Sequence, residues 1–343
     1  MNNIKKNASL VIGLLIILVG IIGFRFSPIS KTFSSQKEIN IYSPGLAFIS
    51  HITHNFVTVI DLKTNKIVDT IYAEKGTDWF TLSENRKKAY IANFNSNSIS
   101  IINTHDNNNV NLKVGTNPVC ICLSLDGQTA LISHQSQDGL WFMNTTTHQI
   151  TKKIIEGTGL LHLSKDGRKI YQAAIFQPYV HIINPFKQTI EKSIYVSGRP
   201  LNLDFTPNGK YIYVTNSDLN EVQIIDTKTD SVVNKISDID TTRGIAISPN
   251  GKYALVTNVR SNSVTVINIK DNSVVKKISV DRMPTDIAIT KDGKSAYITN
   301  QGSGSISIIS IDKLKVVNNI EVADNPISIY ISEWFEKGLG KIA

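Results

Sequence analysis

The chain has 343 residues, 41% hydrophobic and 19% charged, an ordinary globular balance with ample material for a buried core. Its formal net charge of +8 rests on lysines scattered along the sequence, not gathered in a basic stripe, which argues against a nucleic-acid partner. With only Cys120 and Cys122, a disulfide framework is excluded. Two residues apart on one strand face, these thiols stand too far apart to bridge without distortion and read as small buried hydrophobes.

In chain order, MNNIKK sets Lys5 and Lys6 ahead of LVIGLLIILVGIIGF, an unbroken apolar run from Leu10 to Phe24. Together with Ala8 and Ser9 the run approaches the length that crosses a bilayer at about 1.5 Å per residue. The following RFSPISKTF offers no small-x-small cleavage site and no cysteine for a lipid anchor. The expectation is an uncleaved signal-anchor over residues 10–26, after a short cytoplasmic segment 1–9. Residues 27–44 then form a polar tether, and the remainder is expected outside a cell membrane crossed once.

From there the chain repeats one phrase. YVTNSDLNEVQIID (213–226) returns as LVTNVRSNSVTVIN (255–268) and as YITNQGSGSISIIS (297–310), 42 residues later each time. Alignment on it yields seven copies, with FISH, YIAN, LISH and YQAA in the first four. An alternating segment such as VTVID or VQIID follows, then a polar turn, a third β-rich segment such as VVNKI, and a fourth such as DWFTLS, LNLDFT or DIAIT. Asp-Gly and Asn-Gly pairs at 126–127, 166–167, 208–209, 250–251 and 292–293 tolerate the positive φ of tight hairpins. Four short strands per unit of 40–42 residues, with no helical periodicity, predict an all-β, seven-bladed β-propeller of four-stranded antiparallel blades over residues 45–333. A single blade cannot bury both faces of its sheet, so residues facing neighbouring blades must recur. The chain begins on a second-type strand, LAFISH, and ends on a fourth-type one, ISIYIS (327–332), so those two are expected to pair and close the ring. A tail, 334–343, remains.

Inner strands alternate between a core face and a face toward the axis. The axial face places Cys122, His162 and Asp204 at equivalent positions of three successive blades, with Tyr330 on a fourth. A thiol, an imidazole and a carboxylate in a row suit a nucleophile set or a metal site, and equally suit a water-filled channel. Arg199, Arg243, Arg260 and Arg282 fall in loops expected at one end of blades five to seven. Guanidinium forks there would form an anion-recognising patch for an envelope polymer or an acidic partner protein, unless Asp240, Asp281 or Asp286 pair with them. His51 and His134 replace the Asn that closes the YVTN strand and are expected to do its hydrogen bonding. No nucleophile elbow, phosphate loop, haem motif or zinc spacing occurs, so no catalytic residue, metal or cofactor is assigned.

YVTN, LVTN and YITN, paired with SPNGK (248–252) and TKDGK (290–294), resemble the YVTN family of β-propeller repeats of bacterial and archaeal extracytoplasmic and surface proteins. The resemblance spans roughly residues 46–332. It implies a propeller, usually of seven blades, and no single activity, since relatives include subunits of oxidoreductases. FISH, LISH and YQAA depart from the motif, which argues against one uniform role per blade. The favoured reading is a membrane-tethered binding or scaffolding module. The alternatives are a lactonase-like hydrolase and an accessory subunit of a redox complex, both with chemistry at the central channel.

Overall fold

The computed structural model describes residues 45–332; the expected signal-anchor, tether and C-terminal tail lie outside the described residues. Among the described residues no helix is long and apolar enough to cross a membrane. They form seven four-stranded antiparallel sheets. Blades 2 to 7 each run in chain order from the innermost strand outward, beginning with inner strands Thr77–Leu82, Pro118–Leu123, Leu161–Leu163, Pro200–Phe205, Thr242–Ile247 and Pro284–Ile289. In blade 1 the inner strand is Pro326–Ser332, paired with Leu46–His51 in the register Ile49 to Ile329 and Ala47 to Ile331.

Burial follows position in the blade. Leu46–His51, a second strand, is buried at every residue because neighbouring blades cover both of its faces. Ser273–Ser279, an outermost strand, buries only Ile278. The core lies between blades: Tyr213, Val222 and Ile224 of blade 5 pack with Ile245, Ile247 and Val256 of blade 6. Each such side chain contributes roughly 1.5–3 kcal/mol on burial, which explains why the apolar letters of the repeat persist.

The polar letters have physical work too. Tyr213 donates its hydroxyl to Asn272 Oδ1 at 2.6 Å, and Tyr297 donates to Asn65 Oδ1 at 2.6 Å, each reaching a turn of the next blade. The threonine hydroxyl also reaches forward: Thr215 donates to the Arg243 carbonyl at 2.7 Å and Thr257 to that of Thr285 at 3.1 Å. Within its own hairpin, Asn300 donates to Ser305 and Ser307 at 3.2 and 2.9 Å. In blade 1, His51 Nε2 meets Thr58 Oγ1 at 2.9 Å, and in blade 3, His134 Nδ1 meets the Gly139 carbonyl at 3.0 Å. Blade 4 has lost the phrase, and the amide of buried Gln172 has no partner there.

Turns repeat as closely as strands. Between its two outer strands every blade places one residue at positive φ: Asn65, Asn107, His148, Gln188, Asp230, Asn272 and Leu314. Between inner and second strands the positive-φ residue is Gly127, Gly167, Gly209, Gly251 or Gly293, but Arg86 in blade 2. Glycine adopts this conformation without a Cβ clash. The preceding Asp or Asn closes the turn: Asp126 Oδ1 accepts from Ser124 Oγ at 2.6 Å and from Gln128 N at 3.0 Å.

Candidate functional site

Several inner strands begin with a β-bulge. Register slips by one residue between Thr77 and Trp79 in blade 2, between Thr242 and Ile245 in blade 6, and between Pro284 and Ile287 in blade 7. A bulge re-aims side chains that strict alternation would send elsewhere. Here the irregular residues include Asp78, Arg243 and Asp286. Blades 2 and 6 are not neighbours, and only the axis of the ring brings their side chains together.

The three groups act on one another electrostatically. Burial raises the Asp78 carboxyl to about 7, against the pull of Arg243 and with the help of Asp286. Burial likewise raises Asp286 to about 6, opposed first by backbone N–H groups of Ile329 and Ile287 and then by Arg243. Enclosure also works against the Arg243 charge, and the two aspartates restore part of it. Each side chain is enclosed by protein on its flanks and reachable along the channel, so its exposure by area is intermediate. Asp286 spends one oxygen on Ile329 N at 3.0 Å. Among the described residues, the Arg243 guanidinium makes no ion pair and no hydrogen bond, although Thr215 pins its carbonyl. An arginine within electrostatic reach of two carboxylates, and bonded to neither, leaves all five of its N–H donors for something else.

Beside this cluster lies a cavity of about 240 Å³ whose walls include Trp79, His162, Asn202, Asp204 and Asp286, with Ala246 and Ala288 leaving the room. Its size suits one ring or a short chain, below the common range of drug-sized sites. His162 is neutral, burial lowering it to about 4, and its Nε2 has no hydrogen-bond partner. Asp204 is otherwise engaged: Oδ1 accepts from Phe205 N at 2.7 Å and Oδ2 from Ile247 N of the next blade at 2.8 Å. It therefore works as a staple across the free inner edge of two strands. Burial pushes the Cys122 thiol up to about 12, so it is a protonated, unreactive group at neutral pH. Tyr330 lies with its ring 5.6 Å from that of Phe80, which stacks on Phe48 at 4.2 Å. Of the expected axial row, His162 and Asp204 line one cavity while Cys122 packs in the apolar cluster between blades 3 and 4, and among the described residues no three His, Cys, Asp or Glu side chains converge as a metal would require.

The four arginines do not act alike. Arg199 pairs with Asp218 at 3.2 Å. Arg260 and Arg282 are exposed in loops at the same end as Arg199, while Arg243 stands inside an inner strand. Asp240 accepts the Thr241 hydroxyl and Asp281 that of Ser305, so neither holds an arginine. Asp78 is the residue that sequence reasoning missed. DWFTLS and DIAIT both open with an aspartate, and that shared letter was the available signal.

Residues 200–326 match the family described as lactonase, 7-bladed beta-propeller. The matched stretch contains Asn202, Arg243 and Asp286 but neither Asp78 nor His162. A search of curated proteins found no match. Among solved structures, hydrazine synthase of Kuenenia stuttgartiensis is 20% identical with a TM-score of 0.68, covering 83% of this chain and 99% of that one. The periplasmic gluconolactonase of Pseudomonas aeruginosa is 12% identical, TM-score 0.69, covering 84% and 99%. A Lactobacillus plantarum protein is 13% identical, TM-score 0.72, with 84% and 99% covered. The shared property is the propeller fold.

Proposed function

We propose that the channel end formed by Asp78, Arg243 and Asp286 binds a small organic anion. One observation carries this reading: the guanidinium of Arg243 is enclosed at the axis, near two carboxylates, with every donor uncommitted. Its nitrogens are open to the channel, so oxygens of a ligand can take the place of water on them. A carboxylate or phosphate entering along the channel would take the arginine fork in bidentate fashion. Asp78 and Asp286, protonated with modest acidification, would donate to its remaining oxygens, and the adjoining cavity would hold the uncharged part of the molecule against Trp79 and His162.

A second reading, lactone hydrolysis, is supported by the family match and by two carboxyl groups poised near neutrality. Asp286, the more acidic of the two, would be ionised and take a proton from water as the water oxygen bonds to the lactone carbonyl carbon. Arg243 would stabilise the oxyanion as the ring C–O bond breaks. Asp78, which keeps its proton to higher pH, would then give it to the departing alkoxide, leaving a hydroxy acid. The apolar run at residues 10–24 supports a membrane-tethered propeller facing ligands outside the cytoplasm, and the exposed Arg260 and Arg282 favour anionic ones.

Calorimetric titration of the full chain with sodium gluconate tests the binding reading, and a pH-stat assay with glucono-δ-lactone tests the hydrolytic one. Binding of one gluconate per chain, lost in Arg243→Gln, is the expected result. Gluconate, citrate and phosphate all failing to bind would overturn it. Lactone opening above the spontaneous rate that vanishes in Asp78→Asn would select hydrolysis over binding alone.

A further inference from the structure

A second cavity lies off the axis. It is a groove of about 680 Å³ between blades 5 and 6, at the end carrying the glycine turns, and its volume falls within the usual range of ligand sites. Four asparagines line it, and each has committed its oxygen. Asn208 Oδ1 accepts from Lys210 N at 3.0 Å, Asn250 Oδ1 from Lys252 N at 3.0 Å, Asn234 Oδ1 from Lys235 N at 2.8 Å, and Asn272 Oδ1 from the Tyr213 hydroxyl at 2.6 Å. Among the described residues their amide NH₂ groups have no protein partner. Lys270 adds a cation, Tyr211 adds an aromatic ring with the Lys210 ammonium 4.8 Å from its centroid, and among the described residues no carboxylate lines the groove.

The repeat supplies an internal control. In the next gap, between blades 6 and 7, the residues equivalent to Asn250, Lys270 and Asn272 are Asp292, Asp312 and Leu314. Leu314 packs into the apolar cluster of that gap. Where blade 7 carries leucine at the positive-φ turn position, blade 6 carries asparagine at φ 59°. The donor-lined groove is therefore not a property of every gap, although blade 1 repeats the pair Lys270 and Asn272 as Lys63 and Asn65.

We propose that this groove binds an acidic carbohydrate chain. Several neutral N–H donors with the Lys270 and Lys210 ammonium groups fit a ligand that presents many hydroxyl and ring oxygens for each carboxylate. A compact polyphosphate would call for more cations. The Tyr211 ring, with the Lys210 ammonium over one face, would pack its remaining surface against a sugar, and that ammonium adds a second cation for a carboxylate.

The test is titration of the full chain with trigalacturonate, alongside maltotriose as an uncharged comparison. The decisive variant is Asn250→Asp with Lys270→Asp, which installs the carboxylates that the neighbouring gap already accommodates. A thermal melt checks its folding. One trigalacturonate per chain is expected, weakened at least about tenfold in the double variant, the equivalent of one charge-assisted contact, and unchanged in Arg243→Gln. Absence of saturable binding at millimolar trigalacturonate would overturn the proposal, as would equal affinity in the double variant or equally tight maltotriose. Loss of binding in Arg243→Gln would move the sugar to the axial site and leave the groove without a role.

Discussion

Replacing Asp78 with Asn leaves the shape of the axial cluster and removes its least comfortable charge. The carboxyl moves from 3.8 in an ordinary setting to about 7 in the folded chain. Between those values the folded protein holds a proton that the unfolded chain has released, so stability falls as pH rises from about 4 to about 7 and is level beyond. At 1.36 kcal/mol per decade the full displacement amounts to about 4 kcal/mol. Channel water and the nearby Arg243 screen part of it, and a realised cost of about 1–2 kcal/mol is the working figure. Asn cannot ionise and escapes that cost. For a domain of this size 1 kcal/mol moves Tm by roughly 1–2 °C, so Asp78→Asn should melt about 2–3 °C above the parent at pH 8, with the gap narrowing as pH falls and closing near pH 4. Differential scanning calorimetry of both proteins across this range reads the difference. A gap independent of pH, or a variant less stable at pH 8, would refute a carboxyl held near neutrality by burial.

Other outcomes follow from the same geometry. Asp204→Ala strips two backbone N–H groups of their acceptor, and a loss of about 2–4 kcal/mol in thermal or urea denaturation is expected, with no change in anion binding beyond that from unfolding. Arg86 occupies a turn position that five blades give to glycine, so Arg86→Gly should raise stability by up to about 1 kcal/mol, read as a higher Tm. Cys122, its thiol pushed up to about 12, should resist a thiol-reactive chromophore at pH 8 in the native protein and react at once in denaturant. Rapid native labelling would contradict a thiol kept protonated by burial.

The blades were legible because their causes are local or periodic. Val222, Ile224, Val264 and Val266 recur where neighbouring sheets must exclude water, and Asp-Gly or Asn-Gly recurs where the hairpin needs positive φ. The axial cluster was not legible in the same way. Asp78 and Arg243 lie on blades that do not touch, and a one-residue bulge carries each off the alternating pattern that sorts core from channel. By residue type Arg243 groups with Arg199, Arg260 and Arg282, but Arg199 is tied to a neighbouring aspartate and Arg243 alone stands in an inner strand. Asp204 drew notice as a polar residue near the axis, but its task depends on register. It caps Ile247 N of the following blade, just as Asp286 caps Ile329 N. A sequence shows that a carboxylate faces inward; only paired strands show which N–H it meets.

The central claim is that Arg243 and two partly protonated aspartates form one anion site. An anion seated beside Asp78 and Asp286 must raise their proton affinity, so binding near pH 7 is linked to proton uptake. Calorimetric titration with gluconate in two buffers of different ionisation enthalpy measures that uptake directly. The expected result is a fraction of a proton taken up per gluconate bound at pH 7, reduced in Asp78→Asn; binding with no proton exchanged, or with protons released, would contradict the account.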